Sequence, residues 1–195
     1  MPVGVPKVPF RIPGDEEASW VDINRLYRQR ALFLCQELDS EISNQIIGLM
    51  TFLTIEDSTL DQNLLINSPG GSLLYGLSIF DTMDVSLADV RTWGLGIVAS
   101  MATFLLSGGT ITKRFAFPSA RVMIHQPGSS YYKSQLGEFC VDTEEMKMMR
   151  HYVTRAYVKK TGQPYYVIWY DMDRDWFMTP AETKAYGIVD NLVVL

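Results

Sequence analysis

Cysteine and histidine are scarce in this sequence, which has two of each among its 195 residues. The two cysteines, Cys35 and Cys140, cannot build the disulfide framework of a small secreted protein, and neither stands at zinc-site spacing from a histidine. We therefore expect a chain that works in a reducing compartment without a bound metal ion. The scarcity of histidine also leaves only His125 and His151 as candidates for an imidazole base.

Positive charge is limited too, because 17 Lys and Arg residues stand against 22 Asp and Glu residues, for a net charge of −5. A surface that binds nucleic acid needs clustered Lys and Arg to neutralise phosphates, and the sequence has no such cluster. Nucleic acid is therefore not an expected partner.

The start of the chain lacks the apolar core of a secretory signal peptide and instead contains four prolines within its first 13 residues. Each proline removes a backbone donor and fixes φ, so these residues do not join a regular helix or sheet easily. We expect residues 1–19 to form an extended, mobile arm ahead of one domain over residues 20–195.

One run without charge, residues 92–112, has the length of a membrane span. Ten of its 21 positions are Gly, Ser or Thr, so its hydrophobicity is modest. No membrane span is expected here, and the run instead predicts a buried strand that leads into a buried helix.

Strands, glycine-rich turns and helices alternate along the middle of the chain. The predicted strands are residues 64–66, 90–93 and 121–125, and the predicted helices are residues 39–52, 72–83 and 100–106. This order is typical of right-handed crossover units in a mainly parallel sheet, and it predicts an α/β fold.

The carboxyl-terminal third predicts an extended segment over residues 129–141 and then a long helix, with Asp142 and Glu145 as its capping box and its end near Lys160. Apolar residues cover more than one face of that helix, which predicts more than one packing partner and so favours an oligomer. A last helix is predicted from the capping pattern of Thr179, Pro180 and Glu182 to Gly187, followed by a terminal strand over residues 188–195.

Ser100 is the polar residue within the apolar stretch "GIVASMATFL", at the predicted junction of a strand and a helix. Its pattern is not G-x-S-x-G, so the lipase-type turn around a serine nucleophile is not predicted. From these residues alone Ser100 is either the N-cap of a helix or a nucleophile.

Partners for a serine nucleophile are available elsewhere in the chain. His125 ends a predicted strand, where open α/β sheets present their sites, whereas His151 lies among charged residues on a helix surface. Gly70 and Gly71 offer bare backbone N–H groups to an anion. The acidic residues that could orient an imidazole remain undecided, with Asp171, Asp173 and Asp175 among them.

Taken together and in order, several blocks of the chain resemble the ClpP peptidases. The matching blocks are "INSPGGS" at 66–72, "IFDTM" at 79–83, "ASMA" at 99–102, "RVMIHQP" at 121–127 and "DMDRDWFMTPAETKAYGIVD" at 171–190. The resemblance extends from about Trp20 to the end of the chain. It implies the ClpP/crotonase fold, with repeated β-β-α units, a protruding strand-helix handle at about 129–161, and residues 1–19 as an axial arm.

The resemblance also implies the roles of individual residues. It makes Ser100 the nucleophile, His125 the general base and acid, and Asp175 the carboxylate that orients His125. It places the oxyanion hole at the backbone N–H groups of Gly71 and Met101. The substrate peptide would bind as an added strand along Gly70, Gly71, Leu73 and Gly128.

The implied activity is that of a serine endopeptidase, the proteolytic subunit of an ATP-dependent protease. The resemblance implies a homo- or hetero-oligomeric double seven-membered ring with paralogous subunits, which receives unfolded proteins from an AAA+ unfoldase. The chain has no P-loop motif, so ATP would bind that partner and this chain would need no cofactor. The detailed match to plastid-encoded family members implies the chloroplast stroma.

Two alternatives stay open beside this reading. The chain could be a catalytically idle, structural ring subunit, although such relatives usually lose a triad residue and all three are present here. A crotonase-type enzyme acting on acyl-CoA would instead need glutamates at the oxyanion site. Val98 and Ala102 also carry more bulk than the residues usual in the family beside the serine, which predicts crowding at this turn.

Overall fold

The computed structural model of the chain describes residues 8–10, 19–21, 24–128 and 136–194. Its strands are β1 (Val8–Phe10), β2 (Ser19–Val21), β3 (Ala31–Leu34), β4 (Gln62–Ser68), β5 (Val90–Ala99), β6 (Arg114–Ala116), β7 (Arg121–Ile124), β8 (Trp176–Met178) and β9 (Asn191–Leu192). Its helices are α1 (Asn24–Arg28), α2 (Ser40–Glu56), α3 (Leu73–Val85), α4 (Met101–Gly108), α5 (Leu136–Thr161), α6 (Tyr165–Asp171) and α7 (Pro180–Tyr186). The predicted α/β class is confirmed.

The main sheet places β3, β4, β5, β6 and β9 side by side, all parallel. Strand β7 runs parallel to the carboxyl half of β5, and β8 is antiparallel to β7. The prediction of a mainly parallel sheet is therefore confirmed. Because carboxyl ends of parallel strands meet at one edge, the turns after β4, β5 and β7 lie close together.

Strand β5 changes neighbours halfway along its length, which decides where it ends. Residues 92–94 pair with β6, whereas residues 97–99 pair with β7. Between them Gly96 has a φ of +53°, a conformation that glycine adopts without a steric penalty. The Ile97 N–H donates to Asn67 Oδ1 at 3.1 Å and holds the bend. The bend carries the end of β5 to the side of β7.

The predicted helices are present, and two of them have side-chain caps at their starts. The Asp39 side chain accepts from the Ile42 N–H at the start of α2, and Thr179 and Glu182 form the predicted capping box of α7. The uncharged run of residues 92–112 includes most of β5 and all of helix α4. Every residue of α4 is buried. Within the described ranges, no helix combines the length and apolar character needed to cross a bilayer.

The prediction for the segment before the long helix is wrong. Residues 136–141 are already helical in α5, so they are not extended, and Asp142 lies in the second turn instead of at the N-cap. The polarity of such a short stretch fits the periodicity of a helix as well as that of a strand. Leu136 and Glu138 are residue types with high helix propensity, which favours the helix. Residues 129–135, the rest of the predicted extended part of the handle, lie outside the described residues.

Short strands lie near both ends of the chain. Among the described residues after Gly187, Asn191 and Leu192 alone pair with β6, so the predicted terminal strand is shorter than expected. The predicted boundary at residue 19 falls inside β2, which pairs with β1 in an antiparallel ribbon. The predicted mobility of the arm stays a prediction, since residues 1–7 and 11–18 lie outside the described part.

The core between the sheet and the helices also accounts for part of the apolar surface of α5. Phe104 of α4 stacks on Phe80 of α3 and meets Tyr157 of α5 edge-on, with centroids 4.4 and 5.3 Å apart. Val153 is buried in the same cluster. These two α5 residues thus pack within the chain and are not free for an oligomer contact. Phe139, Val141 and Met148, nearer the start of α5, remain exposed.

Candidate active site

Ser100 occupies the tight turn between β5 and α4. Its φ is +57° and its ψ is −126°, in a region that a residue with a side chain rarely adopts. Such a conformation stores strain and persists only where the surroundings enforce it. The G-x-S-x-G motif is absent, as the sequence analysis states, and the strained turn forms here with Val98 and Ala102 in place of the flanking glycines.

A buried threonine holds this turn in place. The Thr103 hydroxyl is shared between the backbone oxygens of Val98, at 2.8 Å, and Met123, at 2.7 Å. The Ser100 N–H donates to the same Met123 oxygen at 3.0 Å. Thr103 is not among the predicted site residues, although a single threonine within an apolar run is a signal, because a buried hydroxyl needs a partner. Val98 and Ala102 are fully buried here.

The Ser100 side chain does not cap α4, although Ser100 stands at the N-cap position. Its Oγ lies 2.8 Å from Nε2 of His125 instead. On the other side of the ring, His125 Nδ1 lies 3.0 Å from Asp175 Oδ1. The structure therefore brings a hydroxyl, an imidazole and a carboxylate into one hydrogen-bonded chain.

Strand pairing explains why Asp175 is the acid that meets His125. In the antiparallel pair of β7 and β8, Ile124 lies opposite Trp176, so the next residues outward are His125 and Asp175. The other two candidate acids have different partners. Asp171 accepts from the Tyr186 hydroxyl, and Asp173 accepts from Arg150.

Gly70 and Gly71 form the turn after β4 and lie against Ser100. A Cβ at Gly70 would come within 2.7 Å of Ser100 Cβ, and one at Gly71 within 2.4 Å of the Leu38 carbonyl oxygen. Both glycines also have positive φ, so no other residue fits this turn without displacement.

The backbone of this turn leaves an N–H group free to face the site. Leu38 N–H donates to Gly70 O, and Ser72 N–H donates to Leu38 O. In such a parallel bridge the central residue, Gly71, directs its own N–H to the opposite side. Met101 begins α4, so its N–H has no acceptor within the helix.

A cleft of about 490 Å³ opens beside Ser100 and His125. Besides Ser100 and His125, four further predicted site residues line it, namely Gly71, Leu73, Met101 and Gly128. Gly70 is not among the lining residues, because it packs behind Ser100. The apolar wall was not predicted as part of a site, since its residues look like ordinary core positions in sequence; it comprises Phe104, Met146, Val153 and Tyr157.

The remaining candidates lie outside the cleft. His151 is exposed on α5 and stacks on Trp169, with ring centroids 4.8 Å apart. Cys35 and Cys140 are both free and exposed. Across the described ranges, no group of three or more His, Cys, Asp or Glu side chains is placed to hold a metal ion.

Comparisons with known proteins identify the family of this chain. The family model described as "Clp protease" matches residues 14–194. Proteins named "ATP-dependent Clp protease proteolytic subunit" from Nicotiana tabacum and Morus indica are each 60% identical over 195 residues, and the match covers all of both chains. The protein of the same name from Chloranthus spicatus is 57% identical over 194 residues, which cover all of this chain and 96% of that one. The chain therefore belongs to the Clp protease family, as a protease subunit.

Proposed function

We propose that this chain is a serine-type endopeptidase in which Ser100, His125 and Asp175 act as the catalytic triad. The observation that carries the proposal is the hydrogen-bonded chain from Asp175 through His125 to Ser100, with distances of 3.0 and 2.8 Å, at the wall of an open cleft. Hydroxyl, base and orienting acid are the groups that acyl transfer by serine requires.

In this mechanism Ser100 Oγ attacks the carbonyl carbon of the scissile peptide bond while His125 Nε2 takes its proton. Asp175 accepts from His125 Nδ1–H and stabilises the imidazolium that forms. The N–H groups of Gly71 and Met101 donate to the developing oxyanion. His125 then protonates the leaving amine, and a water molecule activated by His125 hydrolyses the acyl-enzyme.

The substrate would bind in extended form along the edge of residues 69–72. Gly71 directs its N–H away from Leu38 and so offers a main-chain contact to an added strand. Gly128 lines the cleft as well and would face the peptide. Because such contacts read main chain, the protease would cleave many sequences, and the apolar wall would favour apolar side chains next to the cleaved bond.

The wider setting rests on family membership and on the names of the plant relatives. We infer a double seven-membered ring with paralogous subunits, fed with unfolded proteins by an AAA+ unfoldase that binds the ATP. The exposed apolar side chains Phe139, Val141 and Met148 of α5 support a contact between subunits. The plant relatives support the chloroplast stroma as the location. No observation favours an idle ring subunit.

The proposal is tested by labelling the assembled complex with a serine-directed fluorophosphonate and identifying the modified peptide of this chain by mass spectrometry. We expect label on Ser100 in the wild type and none in Ser100→Ala. Ser78→Ala is the matched control, because Ser78 is exposed on α3 and its hydroxyl bonds to Leu74 O.

Two outcomes of this experiment would contradict the proposal. Label on this chain that persists in Ser100→Ala would exclude Ser100 as the nucleophile. Absence of label from an assembled wild-type complex, with active paralogous subunits labelled in the same sample, would favour the idle structural subunit.

A further inference from the structure

Arg150, near the middle of α5, contacts both segments that carry the base and the acid of the proposed triad. We infer that Arg150 is a positioning residue for the reaction, one that fixes the segment after β7 against the segment before β8 so that His125 and Asp175 stay aligned. This inference rests on the proposed function, since it assigns Arg150 a role through those two residues.

The contacts of Arg150 divide between the two segments. Nη1 donates to the side-chain oxygen Oε1 of Gln126 at 2.7 Å. Nη2 donates to Asp173 Oδ1 at 2.7 Å and to the backbone oxygen of Trp169 at 2.8 Å. Gln126 directly follows His125, and Asp173 precedes Asp175 by two residues, so the two side-chain contacts act on neighbours of triad residues.

The guanidinium itself is held in one orientation. Its central carbon lies 3.7 Å from the centroid of the Trp169 ring, and the side chain is only 17% exposed. A planar guanidinium that stacks on an aromatic ring and donates in two directions has little rotational freedom left. Such an arginine transmits the position of α5 to both segments at once.

The triad pair needs this support because it lies beyond the end of the strand ladder. The pairing of β7 with β8 ends at Ile124 and Trp176. The side chains of His125 and Asp175 are 35% and 65% exposed, so packing alone does not fix them. One backbone bond, from Gln126 N–H to Met172 O at 2.8 Å, ties the two segments past that point. Arg150 adds a second tie between the same segments.

Removal of this tie is tested in the assembled complex with Arg150→Met, which keeps a long side chain and loses every donor. We expect the rate of fluorophosphonate labelling at Ser100 and the kcat for a peptide substrate to fall about 10- to 100-fold, because small displacements of catalytic groups cost that much. KM should change less than about threefold, since Arg150 does not line the cleft. Arg155→Met, at an exposed site on the same helix, should behave as wild type.

Two further variants keep the test decisive. Arg150→Lys retains the charge but cannot donate to both segments at once, so its rate should lie between those of wild type and Arg150→Met. Asp173→Asn weakens the hydrogen bond that Arg150 donates to residue 173 without changing α5, and it should lower the labelling rate as well. If Arg150→Met does not assemble, the labelling rate of Asp173→Asn tests the inference in its place.

The double variant Arg150→Met with Asp175→Asn separates positioning from general stability. If Arg150 acts through the His125–Asp175 pair, its substitution should change the residual rate of Asp175→Asn less than about threefold. An equally large loss in both backgrounds would show that Arg150 only stabilises the fold. Labelling of Ser100 at the wild-type rate in both Arg150→Met and Asp173→Asn would overturn the inference and leave the proposed function standing. Absence of label from Ser100 in the wild type would overturn the proposed function itself.

Discussion

Thr103→Val removes the hydroxyl that braces the strained turn at Ser100 and leaves the shape of the side chain nearly unchanged. The hydroxyl is fully buried and donates to the backbone oxygens of Val98 and Met123. Met123 O keeps a partner in the variant, because the Ser100 N–H still donates to it. Val98 O loses the Thr103 donor and gains none from valine.

The expected loss of stability follows from the hydrogen bonds that Thr103→Val removes. One buried hydrogen bond contributes about 1 kcal/mol, and a carbonyl left without its donor raises the loss to about 3 kcal/mol. For a chain of this length that corresponds to a fall in Tm of about 2–12 °C. We also expect the labelling rate of Ser100 to fall about 10-fold, because relaxation of the turn moves Oγ from His125 Nε2.

Thermal unfolding of the assembled complex and the rate of fluorophosphonate labelling measure the two effects. Thr183→Val is the matched control, because its buried hydroxyl donates to Thr179 O, which keeps the Thr183 N–H as a partner. A Thr103→Val variant that labels at the wild-type rate would refute the reasoning that this hydroxyl maintains the conformation of Ser100.

Three other changes have defined outcomes. Gly71→Ala should lower peptide hydrolysis at least 100-fold, since its Cβ would lie 2.4 Å from Leu38 O; near-normal turnover would contradict the tight turn. His125→Ala should abolish hydrolysis but leave assembly intact, as size-exclusion chromatography would show; retained turnover would exclude His125 as the base. Burial raises the pKa of the Asp190 carboxyl, but hydrogen bonds and charge from Arg114 lower it more, so the net pKa lies below its usual range. The contribution of this pair is therefore complete above about pH 4 and is lost as pH falls through the lowered pKa. Asp190→Asn should cost about 3–5 kcal/mol at pH 7, and its Tm difference from wild type should shrink below about pH 4; a constant difference would contradict this account.

Much of the fold was predictable because its signals are local. The cap at Thr179 depends on Glu182, only three positions further on, and it forms as the sequence predicts. The start of α5 was not predictable in the same way, since a helix that begins before Asp142 makes the local capping pattern irrelevant. Local patterns therefore identify elements well but locate their ends poorly.

The residues of the candidate site were likewise predictable only where their signals are local. Sequence patterns placed Ser100 and His125 at the ends of predicted strands, but they did not distinguish among Asp171, Asp173 and Asp175 without the family resemblance. The antiparallel register of β7 and β8 is what sets Asp175 opposite His125, across fifty positions of sequence.

The amino-acid sequence by itself determined the order of strands and helices and identified Ser100 and His125 as candidates for a chemical role. Periodicity, glycine turns and rare residue types are local features, so they can be recognised without the fold. Only the tertiary structure decided that Ser100 faces His125 instead of capping α4, and that Thr103 and Arg150 form hydrogen bonds to the segments around the site. The physical reason is that hydrogen bonds between distant segments depend on strand register and helix packing, which arise only when the whole sheet has formed.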